Sequence, residues 1–107
     1  MGVFMNKKYI LKRNEEILLV IKTGVKKVYD HIIIYSKDNK LTNSRFCVSV
    51  SKKIGNAVVR NKLKRQVKDI IMKNIVTKNK DYVIILSSSF KELSFEEKKK
   101  EILKGIE

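Results

Sequence analysis

The sequence predicts an α+β fold, a single-domain α-β sandwich with elements in the order α-β-β-α-β-α. Three observations support this. Apolar residues recur at helical spacing in three segments, near 17–21, 59–71 and 95–106. Three short runs, around 31–36, 45–51 and 81–87, are rich in β-branched and aromatic residues. The chain has 107 residues, the size of one domain with a thin core.

Asn14-Glu15-Glu16 opens the first helix: Asn14 can cap it, and two acids suit the positive end of the helix dipole. Ile17, Leu18, Val20 and Ile21 supply its apolar side and Gly24 its stop, giving a helix over about Glu15–Thr23. His31–Ser36 is the first strand and runs into the turn-prone Lys37-Asp38-Asn39-Lys40. Arg45–Ser51 alternates Phe46, Val48 and Val50 with Cys47, Ser49 and Ser51, as a strand with two distinct faces does. These two strands are expected to pair as an antiparallel hairpin across the polar loop. After Gly55-Asn56, the residues Val59, Leu63, Val67, Ile70 and Ile71 form one stripe of a long helix reaching about Ile75. Tyr82 to Leu86 is a continuous apolar run within Asp81–Ser87, which reads as a strand buried on both faces. Ser94 and Glu97 have capping-box spacing ahead of the last helix, Phe95–Ile106. Its buried side is expected at Phe95, Ile102, Leu103 and Ile106.

Hydrophobic residues make up 43%, enough to build a core. The charge is less ordinary: 25 Lys and Arg stand against 11 Asp and Glu, a net +14. Such an excess opposes compaction by self-repulsion, and a polyanionic partner, nucleic acid first, relieves it. The single Cys47 excludes an intrachain disulfide, and no CxxC offers a thiol zinc site. The single His31 excludes a His-pair metal site and makes a Ser/His/Asp triad a poor fit. The apolar runs are too short to span a bilayer, so no membrane partner is expected. Met1–Met5 is followed by Lys7, Lys8, Lys12 and Arg13 without a long apolar region, so it is no secretory signal, and a cytoplasmic protein is expected. Residues 1–8 read as an extension of the domain, and Met1 and Met5 both fit as its start.

The most informative stretch is Ser51–Asp69, SKKIGNAVVRNKLKRQVKD, which carries seven cations and no acid before Asp69. At about 100° per residue, Arg60, Lys64 and Lys68 stack along one edge of the helix. Asn61 and Arg65 lie beside them, opposite Leu63. A solvated helix face normally pairs its charges at i,i+4, and here the acids needed for that are missing. Arginine suits bidentate phosphate contacts, and Asn61 can hydrogen-bond a sugar or base edge. This segment, with its KKxGNAVxRNxxKR pattern, resembles the signature of the bacterial ribonuclease P protein family. The resemblance extends over nearly the whole chain, including the Asn14-Glu15-Glu16 helix with Gly24, Asp81-Tyr82, and the Ser94 helix.

The resemblance implies a cofactor protein for a catalytic RNA that, with Mg²⁺ at the RNA, removes the 5′ leader of precursor tRNA. It implies no catalytic side chain and no metal site on the protein, and partners that are the catalytic RNA and precursor tRNA, with a monomeric protein in a 1:1 complex with the RNA. It also implies a left-handed crossover between parallel strands, against the usual rule. The implied RNA-binding residues are Lys52, Lys53, Asn56, Arg60, Asn61, Lys62, Lys64, Arg65 and Lys68. The implied leader cleft holds Ile17, Ile21, Tyr35, Ser49 and Ser51. Lys62 stands where the family usually has Arg, Ile17 and Ile21 where it often has aromatics, and Cys47 where glycine is common. Two other classes compete: a basic ribosomal protein, which needs neither this signature nor a cleft, and a stand-alone nuclease, which lacks the clustered carboxylates of a two-metal site. Other features have plainer readings. Cys47 is a packing residue, Asp30-His31 a strand-edge pair, and Phe90 and Phe95 core or cap contacts. Gly55 is a tight turn, and Lys98-Lys99-Lys100 a solvated face balanced by Glu96, Glu97 and Glu101.

Overall fold

The computed structural model describes residues 9–41, 43–74 and 79–106. The proposed extension 1–8, and Ile75 at the expected end of the long helix, lie outside the described residues. The elements are α1 (Asn14–Thr23), β1 (Val25–Val28), β2 (Ile32–Asp38), β3 (Arg45–Val50), α2 (Ala57–Lys73), β4 (Lys80–Leu86) and α3 (Phe95–Ile106). The strands form one sheet in the order β1-β2-β4-β3. On one face, α2 and α3 cover a core that includes Ile34, Phe46, Leu63, Val67, Ile84 and Ile102. On the other face, α1 covers a smaller cluster around Leu11, Val20 and Val83.

The expected β2–β3 hairpin does not form. β4 lies between the two, antiparallel to β2 and parallel to β3. Sequential strands often pair, but burial decides here: Asp81 to Ile84 are all buried, and only a central strand hides both faces. The fold also holds a strand that the apolar pattern does not show. β1 is VKKV, mostly exposed, and among the described residues pairs with β2 alone. An edge strand needs little apolar surface, and lysines on an open edge discourage pairing with other chains.

Helix ends follow local chemistry. Asn56 Oδ1 accepts from Val59 N–H at 3.0 Å and caps α2. The Ser94–Glu97 box closes in both directions: Ser94 N–H donates to Glu97 Oε1 at 3.0 Å and Glu97 N–H to Ser94 Oγ at 3.2 Å. Asn14 does not cap α1; Arg13 holds that position without a side-chain bond. Gly24 ends α1 because of a close approach: a Cβ there would sit 2.5 Å from the carbonyl oxygens of both Ser36 and Val20. The α3 stripe falls at Lys98, Ile102, Gly105 and Ile106. Phe95, expected inside, is 43% exposed, and Lys98, expected in solvent, is only 6% exposed. Lysine's aliphatic stem can line a core while its ammonium finds a polar partner. Gly55, expected in a tight turn, has extended backbone with φ 162°.

Candidate nucleic-acid interface

Residues opposite one another on neighbouring strands point to the same face. The register therefore lays out the α1 face of the sheet in rows. Lys37, Asp81 and Arg45 form one row. Lys26, Tyr35, Val83 and Cys47 form the next, and Val28, Ile33, Ile85 and Ser49 the third. α1 crosses the first of these, since Glu16 reaches Arg45 on β3 and Thr23 Oγ1 accepts from Lys37 Nζ on β2 at 2.8 Å. Val83 in the second row is buried beneath it. The third row lies beyond the helix: Val28 is 65% exposed, Ser49 is exposed, and Ile33 and Ile85 are half-buried. The open band is thus apolar in the middle and flanked by α1.

α1 is pinned by charge. Arg45 donates to Asp81 through Nε to Oδ1 at 2.9 Å and Nη2 to Oδ2 at 2.7 Å, and to Glu16 through Nη2 at 2.6 Å. Asn39 Nδ2 adds a 2.7 Å bond to Asp81 Oδ1. The hydrogen bond to Asp81, above all, raises the Arg45 pKa beyond its already high value, so the guanidinium stays charged.

The expected cleft residues are brought together unevenly. Ile17, Ile21 and Tyr35 pack against the small cluster, half-buried, and the Lys26 ammonium lies 5.9 Å from the Tyr35 ring centroid. Ser49 stands on the open row. Ser51 lies past the end of β3 and is exposed, its Oγ accepting from Lys53 N–H at 3.2 Å. Lys52 and Lys53 are exposed on a 3₁₀ turn that leads into α2. Asn61, Lys62 and Arg65 are exposed, while Arg60, Lys64 and Lys68 are half-buried. Among the described residues, the one ion pair on α2 is Lys73–Asp69 at 3.3 Å, so the acid-free segment keeps its cations unneutralised. Arg60 Nε is buried without a hydrogen-bond partner. Burial pushes the Cys47 thiol pKa up, opposed by the nearby Lys64 and Lys68.

Sequence reasoning missed Ile33, Ile85 and Val28 as the band's surface, and Arg45 as the anchor of α1. Pairing β3 with β4 in parallel would have exposed the anchor, because Arg45 and Asp81 then stand side by side at the strand entries. Among the described residues, no three His, Cys, Asp or Glu side chains gather as a metal set, and no helix is long and apolar enough to cross a membrane.

An α+β sandwich with a half-open sheet face beside α1, and with α2 cations from Arg60 to Lys68 that have no ion-pair partner among the described residues, defines a small basic protein suited to a polyanion. The chain belongs to the ribonuclease P protein family, whose sequence profile matches residues 5–107. It is 39% identical over 106 residues to the ribonuclease P protein component of Bacillus cereus (strain ATCC 14579), covering 96% of this chain and 89% of that one. Its fold matches the ribonuclease P protein of Staphylococcus aureus with a TM-score of 0.82, at 28% identity, covering 92% of each chain. The Thermotoga maritima ribonuclease P protein matches with a TM-score of 0.81, also at 28% identity, over 89% of this chain and 92% of that one. Membership places the chain in an endoribonuclease of tRNA processing, a ribonucleoprotein that contains the ribonuclease P RNA.

Proposed function

We propose that this chain binds the catalytic RNA of ribonuclease P through α2 and the preceding turn, and holds the 5′ leader of precursor tRNA on the open band beside α1. The observation that carries the reading is the acid-free run Ser51–Lys68, whose cations have no ion-pair partner among the described residues, in a domain whose other sheet face carries a half-open apolar band. Phosphates meeting Lys52, Lys53, Arg60, Lys62, Lys64, Arg65 and Lys68 release counterions and offset repulsion between two RNAs. Asn56 is engaged in capping through Oδ1, which leaves its amide nitrogen to donate outward. A single strand suits the band because its bases are unstacked and can lie on Tyr35 and the apolar floor of Ile33 and Ile85. Mg²⁺ bound at the RNA supplies the hydrolytic chemistry; the protein's side chains bind and orient. The complex is a 1:1 pairing of one protein with one RNA in the cytoplasm.

Purified protein mixed with precursor tRNA, with and without the cognate RNA, tests this. Cleavage is expected only with the RNA, and cleavage by protein alone overturns the reading. Tyr35→Ala separates the two roles. It is expected to narrow the preference for precursor over mature tRNA, by an amount that follows from stacking worth about 1–3 kcal/mol per base. Normal discrimination by that variant removes Tyr35 from the leader site.

A further inference from the structure

Between α2 and α3, on the sheet face opposite the band, lies a cavity of about 410 Å³ that the reading above does not use. Its apolar wall is Val58, Val59 and Leu63, and Val58 is 76% exposed. Lys62, Lys91 and Lys98 line it as well, with Gln66, and no lining residue is acidic. Lys98 is a built feature rather than a surface lysine. It is 6% exposed, donates to Gln66 Oε1 at 2.9 Å, and lies 5.7 Å from the Phe90 ring centroid. Lys91 Nζ is held too, donating to Ile54 O at 2.8 Å. Burial lowers the Lys98 pKa, and Lys62 lowers it further, so the cavity carries a cost that a bound anion relieves.

We propose that this cavity receives one nucleotide of an RNA chain, its base against Val58, Val59 and Leu63 and its phosphate among Lys62, Lys91 and Lys98. The size fits a small ligand, and apolar walls with a few convergent polar groups are the usual form of such sites. The base is required by the apolar wall, which an inorganic anion would leave bare. The phosphate is required by the three cations. Lys62 belongs to α2's cationic surface, so a chain bound along that surface passes the mouth of the cavity. The inference rests on the reading of this protein as an RNA binder, and it adds a specific seat to a surface otherwise defined by charge.

The test is an NMR titration of the full isotopically labelled chain with adenosine 5′-monophosphate, with adenosine and inorganic phosphate as separate arms. Saturable shifts of the Val58, Val59 and Leu63 methyl groups are expected, at least fivefold tighter for the monophosphate than for either half. Equal shifts with phosphate alone, or shifts confined to Arg60 and Arg65, overturn the proposal. Val58→Glu, at an exposed position, is expected to weaken the monophosphate at least fivefold, while Leu18→Glu on α1 leaves it unchanged; equal losses overturn the proposal. A photoreactive 8-azido monophosphate is expected to label the cavity and to be displaced by ribonuclease P RNA. Labelling that the RNA does not displace overturns the proposal by making the site one for a free nucleotide. If RNA binds with its full salt dependence and the cavity stays silent, this proposal falls alone. If no RNA binds, the proposed function falls with it.

Discussion

Arg45→Met removes the anchor of α1 and keeps the unbranched apolar stem of the side chain. The arginine side chain is 19% exposed, Asp81 10% and Glu16 36%. Removing it strips Asp81 of its bidentate partner and leaves the 2.7 Å bond from Asn39. An uncompensated buried charge costs about 3–5 kcal/mol. Asn39's remaining bond and the exposure of Glu16 place the expected loss at the low end, about 3 kcal/mol. In a domain whose total stability is about 5–15 kcal/mol, that is a large fraction. At about 4 °C or more per kcal/mol for a chain of this size, the melting temperature falls by about 12 °C. Urea unfolding followed by circular dichroism measures it. Glu16→Gln, which touches the most exposed member, is expected to cost about 1 kcal/mol or less. Arg45→Met combined with Asp81→Leu is expected to recover most of the loss, because the stranded carboxylate is gone. A loss below about 1 kcal/mol for Arg45→Met refutes the reasoning, as does a double variant no more stable than the single.

The other predictions concern charge, close packing and a cap. Affinity for ribonuclease P RNA is expected to fall by roughly 0.7–0.9 log units per phosphate contact for each log unit of salt, and Arg65→Glu to reduce that slope without unfolding the domain; a flat salt response refutes the role of the charge excess. Gly24→Ala drives a Cβ into two backbone carbonyls that cannot swing away, so it is expected to cost about 2 kcal/mol in urea unfolding. Ser94's backbone N–H, then its side chain, holds the Glu97 carboxyl below its usual 4.5. The folded chain thus favours the charged form. That contribution is present above pH 4.5 and is lost as pH falls through the lowered value. NMR titration of Glu97 is expected to show the lowered midpoint, and Ser94→Ala to move it only part of the way back up, because the backbone N–H remains.

Much of the fold was legible because its signals were local. The α2 stripe at Leu63, Val67, Ile70 and Ile71 is buried as its spacing implies, and the Ser94–Glu97 box marks the start of α3. What escaped depends on distant partners. Strand order could not be read from β2 and β3, since each has a plausible apolar face and only the double burial of β4 assigns the centre. Lys98 looked solvated because its neighbours are acids in sequence, whereas its actual surroundings, Gln66 and Phe90, come from α2 and the turn before α3. The cations of α2 were legible from the missing acids. The floor of the band was not, because Ile33 and Ile85 sit in runs of isoleucine where no alternation distinguishes the two faces.

The position of β4 sets a timetable for the nascent chain. When residue 74 has been made, α1, β1, β2, β3 and α2 exist as sequence, but β3 has only the isolated bridge from Ile10 to Phe46, because its partner strand is still unmade. Of the pairings between named strands, the β1–β2 pairing alone can close early, and it spans a short separation. The two halves of the sheet remain apart until residues 80–86 emerge and insert, and α3 then covers them. Until that insertion, the edges of β2 and β3 that face the centre are open to other chains, and the protein is at its most vulnerable to misassembly in the last quarter of its synthesis.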